Sequence, residues 1–312
     1  MSVNPEEIVA DDIIRVKQST LIGLHRAAES LPLKSGRIAA RLSGNYSSAF
    51  KGRGMEFDEA RLYQPGDDIR SIDWRVTART GKTHTKLFRE ERERPVLLWV
   101  DYRHGMFFGS RNSFKSVVAA KAAALLAWSA AQHGDRLGGL VFSETVHQEL
   151  RPQRGKAATL HFIQKLADHP AWNNFKNPVT DNTSGNLALN RLRRVARPGS
   201  LIFLISDFRH MDNSTQASLA QLTRHNDVVM LFISDPLEAS LPPAGYYRVS
   251  NGIDETGINT RNEMIRKDYQ NRFESHENSL RQLCQKLGMF FLNIPTDQAL
   301  VSSLQKGLGL KK

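Results

Sequence analysis

The chain holds a single cysteine, Cys284, among 312 residues. One thiol cannot form an internal disulfide, and no Cys-x-x-Cys pair exists to bind zinc, so neither staple is open to this fold. Long hydrophobic runs are equally scarce. The longest, "VVAAKAAALLAWSAA" at 117–131, is rich in alanine, interrupted by Lys121 and too short to span a bilayer. The opening stretch carries Glu6, Glu7, Asp11 and Asp12 and no apolar signal-peptide core. A soluble, cytoplasmic protein is expected, the lone cysteine fitting a reducing compartment. Catalytic signatures are missing as well. There is no Gly-x-Ser-x-Gly elbow and no His-Glu-x-x-His helix, and the ten histidines are scattered. "RTGKT" at 79–83 imitates a phosphate-binding loop, but the glycine needed five residues before Gly81 is Val76. The expectation is a protein that is not an enzyme and carries no resident cofactor.

Acidic residues fall short of basic ones, leaving a net charge of +11. The excess is concentrated at 151–198, which has nine basic and two acidic residues and ends in "RLRRVARPG" with Arg191, Arg193 and Arg194. The plain reading is a solvated basic face. The alternatives are an extension of a protein-docking surface, or a nucleic-acid or anionic-surface binder marked by steep loss of affinity with salt.

Residues 5–30 show apolar positions near helical spacing, ended by Pro32 and Gly36, and 37–50 read as loop. Around "ARLYQPGDD", Pro65-Gly66 suit the centre of a type II turn, and "SIDWRV" and "KTHTKLF" read as strands of a small β-rich unit. Its interleaved charges, Asp67, Asp68, Arg70, Asp73, Arg75 and Arg79, suggest an ion-pair lattice. From residue 96 the pattern becomes regular. Apolar runs at 96–101, 137–143, 201–207, 228–235 and 289–295 alternate with helical patterns at 113–133, 156–168, 185–196, 214–224 and 262–287. This predicts an α/β fold, a mainly parallel sheet with helices on both faces. Insertions are expected near 169–184, with Trp172 and Phe175 as anchors, and as a hairpin within 236–261. Three strands end in aspartate: Asp101, Asp207 and Asp235. Ligands of open α/β sheets bind beyond the carboxyl ends of the strands, so Asp101 and Asp207 are candidates to meet there. Tyr102, Arg103, His104 and Gly105 would line the lip, with Phe107 and Phe108 either docking residues or core.

"GRGMEFDEARLYQPGDDIRSIDWRVTARTGK", then "PVLLWVD", "GDRLGGLVFS" and "LIFLISDF", together resemble the bacterial domain of unknown function 58 across about 35–210. The resemblance implies a Rossmann-like von Willebrand factor A-type sandwich over 95–312, with 1–94 as an N-terminal helix and a β-rich unit. It also implies a non-enzymatic adaptor partnered by a MoxR-type AAA+ ATPase or its client, acting in assembly or maturation of a protein complex. Such folds carry a metal-ion-dependent adhesion site of the form Asp-x-Ser-x-Ser, then threonine, then aspartate. Here Asp101, Thr183 and Asp207 fall at the aspartate and threonine positions, while Arg103 and Gly105 replace both serines. Three arrangements are open: Arg103 takes the place of the metal, the aspartates bind Mg²⁺ weakly, or Arg103 points outward to a partner. The cost of burying unpaired carboxylates favours the first.

Overall fold

The computed structural model describes residues 12–31, 33, 55–90, 94–174, 183–250 and 255–309. It divides into two compact units, one formed by 94–312 with the N-terminal segment to residue 45, the other by 46–93. The start of the expected 5–30 helix, the 37–50 loop and Phe175 lie outside the described residues. Among those described, no helix is long and apolar enough to cross a membrane.

In the smaller unit, β1 (Met55–Leu62) pairs antiparallel with β2 (His84–Glu90). The Pro65-Gly66 turn forms: Asp67 N–H donates to the Gln64 carbonyl at 3.0 Å, and Gly66 takes φ +107°. "SIDWRV" is not a strand. Asp73 caps a helix, α1 (Trp74–Thr80), its carboxylate accepting from the amides of Arg75 and Val76, and Gly81 ends it in the left-handed conformation. Among the described residues the expected ion-pair lattice is reduced to one pair. Asp68 accepts from the Arg70 amide and Asp73 from the amides it caps, so these acids satisfy backbone donors, and among the described acids of this turn Asp67 is the one in an ion pair, with Arg61 at 2.8 Å.

The larger unit is built on a six-stranded sheet. Its strands are β3 (Pro95–Asp101), β4 (Arg136–Phe142), β5 (His147–Arg154), β6 (Leu201–Ser206), β7 (Asp227–Ser234) and β10 (Phe290–Pro295). Their spatial order is β10-β7-β6-β3-β4-β5, all parallel except β5. The doubly wound α/β fold expected from the alternating pattern is thus present. The apolar runs form the buried strands, and β3 alternates its faces. Val96, Leu98 and Val100 join the core beneath α2 (Lys115–Gln132) and α3 (Gly155–Ala167), while Leu97 and Trp99 join the core beneath α5 (Ser184–Val195), α6 (Asn213–Thr223) and α8 (Glu263–Leu287). Each fully buried large apolar side chain contributes about 1.5–3 kcal/mol. At Gly139 of β4, a Cβ would stand 2.6 Å from the Leu98 carbonyl and 2.8 Å from the Phe162 ring, so only glycine lets this sheet and α3 close together.

The N-terminal helical turns, at 18–23 and 25–28, cover the outer side of α2. Trp128 Nε1 donates to the Leu21 carbonyl at 3.0 Å, and Leu21, Leu24 and Leu31 are fully buried. Ile13 and Ile14, expected on the apolar face of that helix, are instead exposed. Trp172 anchors its loop as expected, in a short helix, α4 (Ala171–Asn174). The 236–261 region forms a capped helical turn, α7 (Pro236–Ala239), and a hairpin, β8 (Tyr246–Ser250) with β9 (Glu255–Asn259). A last helix, α9 (Leu300–Gly307), closes the unit.

Candidate functional site at the carboxyl edge

The chain enters the sheet at β3, runs outward through β4 and β5, then returns to place β6 on the other side of β3. The point between β3 and β6 is the topological switch, where open α/β sheets form their crevices. Asp101 ends β3 and Asp207 follows β6, so parallel pairing of Val100 with Ile205 carries both carboxylates to this point.

Asp101 is fully buried. Arg103 Nη2 donates to its Oδ2 at 2.6 Å, Nε lies 3.0 Å from both oxygens, and the Arg103 amide adds a bond of 2.8 Å to Oδ1. Ser206 Oγ donates to Oδ2 at 2.6 Å, tying the end of β6 to that of β3. Arg103 is 9% exposed, and its guanidinium also lies over the Phe142 ring. Burial works against its charge, but Asp101 more than compensates and raises its affinity for the proton. Arg103 therefore points inward, not outward.

Asp207 has a cation of its own. Lys115, the first residue of α2 and 0% exposed, sets Nζ 2.7 Å from Asp207 Oδ2 and 2.7 Å from Glu238 Oε1. Half-exposed Arg209 reaches the same Glu238 oxygen at 2.5 Å and lies 3.5 Å from Asp207. Burial alone would raise the Asp207 carboxyl; Lys115 and then Arg209 reverse this and hold it far below the usual carboxylate range. The loop that follows is strained, with Phe208 at φ +52° and His210 at φ +62°, and His276 of α8 lies 3.0 Å from the Asp207 carbonyl through Nε2. Beside it, a cleft of about 490 Å³ opens between this loop and α8, lined by Phe208, His210, Met211, His276, Leu280 and Leu283 among others.

The remaining candidates scatter. Gly105 belongs to the cluster: a Cβ there would stand 3.2 Å from Asp207 Oδ2. Tyr102 is not a lip residue but core, its hydroxyl donating to the Leu166 carbonyl and its ring packed edge-on against Phe107, His169 and Trp172. Phe107 is core and Phe108 is 38% exposed. The His104 amide donates to Glu144 Oε1 at 2.6 Å. Thr183 is exposed just before α5; the residue against Arg103 is Gly185 in the first turn of that helix, whose Cβ would lie 3.2 Å from Nη1. Arg191, Arg193 and Arg194 are exposed farther along α5, about 9–14 Å from Gly185 at the helical rise. Asp235, the third strand-end aspartate, caps α7 and accepts from Ser110 and Thr296.

Lys115, Glu238, Arg209 and Ser206 were not anticipated. Lys115 left a trace in the sequence. A lysine opening an otherwise apolar helix opposes the helix dipole and calls for carboxylates nearby. Glu238 left one too, as the fourth residue of "DPLE", a capping box.

This donor set does not fit the Mg²⁺ of an adhesion site. Mg²⁺ needs near-octahedral oxygen ligands. The two serine positions supply a guanidinium and a glycine, both Asp101 oxygens are engaged, and Asp207 Oδ2 holds an ammonium. Among the described residues, no group of three or more His, Cys, Asp and Glu side chains could hold a metal.

A family model for a protein of unknown function, DUF58, matches residues 59–279. The chain belongs to the DUF58 family. Among the proteins it is similar to are the uncharacterized proteins Rv1480 of Mycobacterium tuberculosis and Mb1516 of Mycobacterium bovis. Each is 28% identical over 260 residues, covering 82% of this chain and 80% of the relative. Among solved structures, BatB of Bacteroides thetaiotaomicron is similar at TM-score 0.43 and 14% identity, over 69% of this chain and 97% of that one. The SpRpn10 VWA domain is similar at 0.41 and 11%, over 71% and 99%. The sheet order and the switch point above make this DUF58 chain a doubly wound α/β fold.

Proposed function

We propose that this DUF58 protein is a non-enzymatic interaction module that docks a MoxR-type AAA+ ATPase or its client, with an adhesion site that works without metal. One observation carries the reading: each switch-point carboxylate that could hold an ion or do chemistry already has a buried basic partner, Asp101 with Arg103 and Asp207 with Lys115. Such pairs contribute orientation more than net stability. What the edge offers to the outside is Arg209, His210 and Phe108, with a cleft of mixed apolar and polar lining next to His210. The single buried thiol accords with a cytoplasmic setting. The nucleic-acid reading has less support, because Arg191 lies 3.5 Å from Glu149 and Arg193 bonds Asn190.

The test is binding of the full chain to the nucleotide-free MoxR-type ATPase of its own genome, so that EDTA can act only on this chain. Equal affinity in Mg²⁺ and in EDTA, with a loss of about tenfold in Arg209→Glu, is expected. A requirement for Mg²⁺ refutes the metal-free site, and no binding refutes the partner.

A further inference from the structure

The segment that gave the family resemblance its specificity, "YQPGDDIRSIDW", folds in the smaller unit, where it joins β1 to α1. There, three large apolar side chains face solvent: Trp74 and Ile69 at 68% exposure and Leu62 at 53%. The acids of this turn, Asp67, Asp68 and Asp73, are taken up by Arg61 and by backbone amides, as described above. The result is that among the described residues the side chains of Arg70, Arg75, Arg79 and Lys82 have no ion-pair partner. On α1, Trp74 and Ala78 share one stripe at i, i+4 spacing and Arg75 and Arg79 the adjacent one, all four exposed. An exposed tryptophan flanked by arginines has the composition of an interface hot spot.

We infer that this face of α1, with the turn before it, docks a second protein whose surface is acidic and holds an apolar pocket for Trp74. Charge selects that occupant. Another copy of this chain, itself at +11, brings net repulsion. A nucleic acid could stack a base only on Trp74, whereas the aliphatic Ile69 and Leu62 beside it suit apolar protein side chains. The surface belongs to the other unit and stands independently of the carboxyl-edge reading.

The experiment places a photo-cross-linking benzoylphenylalanine at Ala78 of the full chain in its native cells, followed by sequencing of the cross-linked peptides. The captured protein is then purified and its affinity measured against wild type, Trp74→Ala, Arg75→Glu/Arg79→Glu and, as a control in the basic 151–198 segment, Arg151→Glu. The expected result is an acidic cross-linked peptide from another protein, tenfold or greater weakening by each of the first two variants, and none by the control. Cross-links within the chain, to a second copy or to nucleic acid, or none at all, overturn the inference. So does an affinity for Trp74→Ala within twofold of wild type when its thermal melt matches wild type.

Discussion

Replacing Lys115 with methionine tests the cluster most directly. The substitution keeps the apolar stem and removes an ammonium that is 0% exposed and 2.7 Å from each of two carboxylates. Asp207 and Glu238 would then face one another nearly dry, their side chains 5% and 8% exposed. Removing one member of a buried ion pair costs about 3–5 kcal/mol. Arg209 keeps its contacts with both acids from a half-exposed position, which puts the loss near the lower end, about 3 kcal/mol. For a unit of this size that lowers the melting temperature by about 6–12 °C. The pH dependence has a definite sign. In the wild type, Asp207 titrates below its ordinary 3.8, so its contribution is complete above that pH and is lost as pH falls through the native value. In the variant, burial acts with less opposition and the carboxyl moves up, so its deficit against wild type narrows between pH 7 and pH 4. Calorimetric melts across that range, with Lys115→Met/Asp207→Asn recovering part of the loss, measure both effects. A variant melting within 2 °C of wild type at pH 7, or a deficit that widens on acidification, would refute the reasoning.

Burial pulls the His169 imidazole from 6.5 down to about 4, so the unfolded chain binds a proton between those values that the native state refuses. Stability should fall by about 3 kcal/mol from pH 7 to pH 4 on this account, and His169→Leu should flatten that slope in denaturant titrations. Burial likewise pushes the Cys284 thiol up to about 12, and a disulfide reagent should label the native protein only at the rate of unfolding. Restoring both serine positions, Arg103→Ser/Gly105→Ser, should not create a Mg²⁺ site measurable by calorimetry, since Lys115 still holds Asp207 Oδ2. Micromolar binding in that variant would show that the ammonium is displaceable.

The sheet was legible because burial on both faces demands continuous apolar runs, and four of its six strands announce themselves that way, with the half-buried edge strand β10 apolar enough to join them. The sixth, β5, is "HQELRPQR": an edge strand with Leu150 as its one fully buried residue and Pro152 within it, which carries the signature of edge protection instead. Asp101 and Asp207 could be placed because strand polarity determines where strands end, and Arg103 because it is two residues from its partner. Lys115 and Glu238 stand 123 positions apart and meet only through the packing of α2 and α7. Tyr102 failed as a lip residue for a related reason. A turn after a strand says nothing about which side chains fold under, and Tyr102 and Phe107 go beneath with Trp172. In the smaller unit, "DWRVTARTG" held a cap and a stop, Asp73 and Gly81, and these outweighed the β propensity of its neighbours.

Helix α2 has sixteen of its eighteen residues buried, seven of them alanines, and is clasped between the sheet and the N-terminal turns along about 27 Å. Alanine brings backbones close and leaves no slack for sliding. Lys115 is therefore the tip of a clamped rod, and its ammonium is held at the switch point by the rest of the molecule. A dication contending for that position contends with the whole core, and the displaced ammonium would have to stay buried with Glu238 as its remaining carboxylate partner.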